Sequence, residues 1–158
     1  MRTPGTMLKH LIGAVLMLAV PLDGAAGPAA PVPAGPKGSL VIIGGGLKGD
    51  NADVWQRIVA LAGGPGARIA VLPSAAADPQ RTGDRIVERL NGYGAAAFVV
   101  PLAVRLDGSD FRQVAEDGEL AAAVRGAGGV FFSGGDQSRI TQALVREDGS
   151  RSAVLEAV

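Results

Sequence analysis

The chain has 158 residues, with 15 basic and 15 acidic side chains, 47% apolar residues, 24 glycines and no cysteine. This composition suits one domain with an aliphatic core and excludes global disorder. It also excludes disulfides, thiolate catalysis and cysteine-ligated metals, and the lack of a basic stripe interleaved with aromatics argues against nucleic-acid binding.

Arg2, Lys9 and His10 make a basic start, and Leu11 to Val20 is apolar except for Gly13. Pro21, Asp23 and Gly24 close that run, and Ala25, Ala26, Ala29 and Ala30 follow as small residues. The pattern predicts a secretory signal over residues 1–26, cleaved after Ala26 or Ala30. The run falls short of the roughly 20 apolar residues of a bilayer span, so no stable membrane anchor is expected after cleavage. The expected location is secreted or periplasmic. Pro28, Pro31, Pro33 and Pro36 then stand among Gly and Ala, which predicts an extended linker over 27–38 and a folded domain over 39–158.

From Ser39 onward strands and helices alternate. Leu40-Val41-Ile42-Ile43 is a continuous apolar run before Gly44-Gly45-Gly46, the signature of a strand buried on both faces. Asp50 or Asn51 caps a helix carrying Val54, Trp55, Ile58, Val59 and Leu61 at helical spacing, and Gly63-Gly64-Pro65-Gly66 ends it. Ile69 to Leu72 reads as a second strand. Asp78-Pro79 opens a second helix with Pro at a tolerated first-turn position, broken at Asn91-Gly92. Ala97 to Val100 is a third strand, residues 101–116 are ambiguous apart from a turn at Asp107-Gly108, and Glu119 to Arg125 is a short helix. Val130 to Phe132 is a fourth strand, Asp136 caps a fourth helix, and Ser152 caps a fifth. Strands separated by helices imply an α/β fold: a mainly parallel sheet with helices on both faces and ligands beyond the carboxyl ends of the strands.

Gly44, Gly46 and Gly49 match the G-x-G-x-x-G dinucleotide pattern, which suggests an oxidoreductase domain as one alternative. The second strand, however, ends in Leu72-Pro73-Ser74 without the acidic residue that holds a ribose. A tight turn accounts for the glycines equally well. Ser133-Gly134-Gly135-Asp136-Gln137 carries two readings. The glycines expose backbone N–H groups that stabilise an oxyanion, with Gln137 at the same rim, or they turn while Asp136 caps. No serine stands in a nucleophile elbow, and the chain after His10 contains no histidine. No metal site and no cofactor are expected.

Three segments resemble the cyanophycinase family, serine peptidases related to dipeptidase E. They are Ser39 to Gly46, Arg68 to Pro79, and Val130 to Gln137 followed by Arg139-Ile140-Thr141. The resemblance covers Ser39 to Val158 and corresponds to the N-terminal half of that family's domain. It implies a class I glutamine amidotransferase-like (flavodoxin-like) fold, truncated here. It implies cleavage of cyanophycin, a β-aspartyl-arginine polymer, to dipeptides by a serine on a Gly-Thr-Ser-Ala-Gly elbow with a later histidine. It also implies an oxyanion-hole amide at Gly134 and Gly135, a substrate pocket at Gln137 and Asp136, and a possible homodimer. The elbow and the histidine are expected beyond Val158, so the chain alone is expected to be inactive. The alternatives are a dipeptidase E-like aspartyl dipeptidase and a non-catalytic exported binding module.

Overall fold

The computed structural model describes residues 38–158. The expected signal at 1–26, and the linker apart from Gly38, lie outside the described residues. Nine elements follow in order: α1 (Ala52–Leu61), β1 (Arg68–Leu72), α2 (Pro79–Gly92), β2 (Ala96–Val99), α3 (Phe111–Ala115), α4 (Gly118–Arg125), β3 (Gly129–Phe132), α5 (Gln137–Leu144) and α6 (Ala153–Ala157). The three strands form one parallel sheet in the order β2-β1-β3. That is the order of the first three strands of a flavodoxin-like sheet.

β1 shows why helices cover both faces. Four of its five residues are buried, and alternate side chains point to opposite sides. Ile69 and Val71 pack with Trp55 and Val59 of α1 and Ile86 and Leu90 of α2. Ala70 and Leu72 pack on the other side with Ala121, Val124, Ala143, Leu144 and Val154, from α4, α5 and α6. The continuous apolar run is therefore two half-faces read together. Trp55 adds an offset stack on Phe131, with ring centroids 5.9 Å apart, and so ties α1 to β3.

Helix starts follow the expected chemistry. Asn51, Asp78, Asp117, Asp136 and Ser152 each accept a hydrogen bond from an amide of the helix they cap. Two expectations change, and the ambiguous stretch 101–116 gains a helix. Leu40 to Ile43 forms no strand: Leu40 is 84% and Ile42 86% exposed, so the sheet has three strands among the described residues rather than four. Apolar and β-branched content favours extended backbone, but a strand also needs a ladder, and this run has no partner among the described residues. The second helix continues through Asn91-Gly92 and stops at Tyr93, where Gly94 takes φ +94°. The Asn91 side chain instead accepts from the Ala97 amide at 2.7 Å, joining the helix end to β2. Within 101–116, the short helix α3 is capped by Asp110, and Leu102 and Ala103 are fully buried. Five helical residues are too few to show a 3.6 period.

Candidate active site

β1 is the middle strand. The chain leaves it through α2 to β2 on one side, then returns through α3 and α4 to β3 on the other. The carboxyl ends of β1 and β3 therefore form the switch point at which open α/β sheets bind ligands. The two segments that meet there are Pro73 to Ala76 and Ser133 to Asp136.

Two backbone hydrogen bonds fix the second segment on the first. Ser133 N–H donates to the Leu72 carbonyl at 3.0 Å, and Asp136 N–H donates to the Ala75 carbonyl at 2.9 Å. Between them lie Gly134 and Gly135. Both are exposed, and among the described residues neither N–H finds a protein acceptor. Two free amides are thus held between two anchored ones. Gly135 has φ +145°, and a Cβ there would collide with the Ala75 carbonyl oxygen. Only glycine meets both conditions. Gly134 has neither restriction, since a Cβ on it would meet nothing within 4 Å.

The next residues complete the rim. Asp136 accepts from the Ser138 amide at 2.9 Å and the Ser138 hydroxyl at 2.7 Å. These bonds, the hydroxyl first, hold its carboxyl below the usual aspartate range, with smaller help from the Arg139 and Arg105 charges. Its Oδ1 is committed to the start of α5. The Gln137 side chain is exposed and makes no hydrogen bond among the described residues, so its donor and acceptor are available. Arg139 reaches back: Nη1 donates to the Ala75 carbonyl at 3.0 Å, and Nη2 lies 3.8 Å from Asp136 Oδ2. Sequence reasoning missed Arg139 because its role depends on a carbonyl 64 residues away.

Under this rim the Ser74 hydroxyl is buried and donates to the Leu102 carbonyl, locking the end of β1 to the segment after β2. Ser74→Ala leaves that buried carbonyl unpaired and is expected to cost roughly 1–3 kcal/mol, read from the urea midpoint. An unchanged midpoint would refute the lock. Ser133 Oγ is also buried and has no hydrogen-bond partner among the described residues.

No serine among these sits beside a histidine. The Ser138 and Ser150 hydroxyls donate to the carboxylates of Asp136 and Asp148 in their own turns. Gly44, Gly46 and Gly49 do not form a strand–turn–helix cradle. Among the described residues no strand precedes them, α1 starts at Ala52, and Gly49 is packed against the Arg89 guanidinium. Among the described residues no three His, Cys, Asp or Glu side chains gather as a metal site would need.

A cleft of about 780 Å³ lies elsewhere, between α3, α5 and residues 145–152. Its charges are already matched: Arg146 pairs with Glu116 and Arg112 with Glu147, while Asp148 accepts from Ser150. The sheet end, with unpaired donors, is the better chemical site.

No family model matches the chain. Over 105 residues it is 35% identical to a cyanophycinase from Geminocystis herdmanii, an alignment covering 66% of this chain and 36% of that protein. The relationship is cyanophycinase-like. The matched region spans little more than a third of the length of that relative.

Proposed function

We propose that this chain supplies the oxyanion-binding side of an exported serine-type hydrolase that cleaves cyanophycin to aspartyl-arginine dipeptides. In this reading the nucleophilic serine and its histidine come from sequence beyond Val158. The observation that carries it is the pair of free amides at Gly134 and Gly135, held in place by the bonds on either side. The similarity to a cyanophycinase supports the choice of substrate.

When a serine attacks a peptide carbonyl, the oxygen gains negative charge. Donors already in place stabilise that charge without reorganising at the moment of reaction. Gly134 and Gly135 offer such donors at an exposed rim where a substrate carbonyl can approach. Gln137 stands one residue past the Asp136 cap and is suited to hold a neighbouring amide of the substrate. Asp136 keeps α5 in register beneath them through Oδ1, and its exposed Oδ2 edge is the part that can face a basic group of the substrate.

The test uses the product of the complete reading frame with cyanophycin as substrate. Wild type should release aspartyl-arginine dipeptides, whereas the 158-residue chain alone should not. Gly134→Ala adds a methyl group in open space beside the two amides. It is expected to lower kcat by about tenfold or more, the scale of a small misplacement at a reacting centre, with thermal melting nearly unchanged. Wild-type turnover in Gly134→Ala, or dipeptide release by the 158-residue chain, would refute the proposal.

A further inference from the structure

The Ala75 carbonyl is the point on which the double-glycine turn rests. It accepts the Asp136 amide at 2.9 Å and Arg139 Nη1 at 3.0 Å, and Gly135 is pressed against it so closely that no side chain fits. Arg139 sits in the first turn of α5, its side chain only 21% exposed, with Nη2 turned toward Asp136. One planar guanidinium therefore spans from the end of β1 to the cap of α5. The planar fork lets one nitrogen bond the Ala75 carbonyl while the other, beyond hydrogen-bond distance, faces the Asp136 carboxylate as a charge contact, which a flexible ammonium does less well.

From this geometry we infer that Arg139 is a positioning residue: it sets the direction of the Gly134 and Gly135 amides by clamping Asp136 and the Ala75 carbonyl together. It touches no reacting atom and acts through the turn. The inference rests on the reading of these amides as oxyanion donors. Its structural half stands apart from that reading, because the clamp can be measured without any substrate.

In the 158-residue chain, Arg139→Gln should speed hydrogen exchange at the Asp136 amide by about tenfold, the scale of one hydrogen bond to a charged group. The core amides of β1 should exchange as before. Arg139→Lys keeps the charge without the fork and should fall between the two. Arg112→Gln, which removes an exposed ion pair away from the turn, should leave the Asp136 amide unaffected. In the product of the complete reading frame, Arg139→Gln should lower kcat about tenfold with KM nearly unchanged, since binding contacts remain and only donor direction is lost. Unchanged Asp136 exchange in Arg139→Gln overturns the clamp. If that variant unfolds globally, Arg139→Lys decides: full protection at Asp136 overturns the need for a fork. A wild-type enzyme with no hydrolysis would refute the proposed function and leave the exchange result standing.

Discussion

Gly135→Ala should destabilise the protein by about 3 kcal/mol or more and abolish any hydrolysis that depends on the turn. The new Cβ would need φ +145° and would run into the Ala75 carbonyl oxygen. That carbonyl cannot retreat freely, because the Asp136 amide and Arg139 both bond to it. Neighbouring Gly134 provides the control. It meets nothing within 4 Å and has no positive φ, so its alanine variant should fold normally. Denaturant unfolding of the two variants side by side separates glycine needed for backbone shape from glycine needed for space above it. Equal stability of both variants would show that the turn does not rest on Ala75.

Leu72→Ala should cost about 3 kcal/mol, within the usual range for a fully buried leucine, and lower the melting temperature by roughly 10 °C. Leu72 is completely enclosed among the side chains of α4, α5 and α6, and its carbonyl also holds the Ser133 amide. The cavity therefore opens directly beneath the candidate site. A calorimetric melt checks the stability, and exchange at the Ser133 amide checks whether the disturbance reaches the turn. A shift of a degree or two would mean that the face of β1 toward α4 and α6 is not a packed core.

Periodicity and capping chemistry made most of the fold legible. The Asp78-Pro79 start of α2, the Asp136 start of α5 and the apolar runs at β1 and β3 are local signals. Each is written within a few adjacent residues and is little affected by what packs later. The double glycine before Asp136 was legible as a candidate site for the same reason. Leu40 to Ile43 was misread because its composition is that of a strand, while being a strand also depends on a neighbouring edge. The helix α3 escaped notice because five residues carry too little pattern.

The residue types at Gly134, Gly135, Asp136 and Gln137 already define what this segment can offer: two amides without side chains, a cap and a free carboxamide. Whether those amides stay free was settled by packing. Leu72 and Ala75 occupy the flanking donors, and Arg139 fastens the turn to a carbonyl 64 positions earlier. Hydrogen-bond partners so distant along the chain come together only when β1 and β3 lie side by side. Short-range preferences select elements, and sheet order selects which backbone groups are left for chemistry.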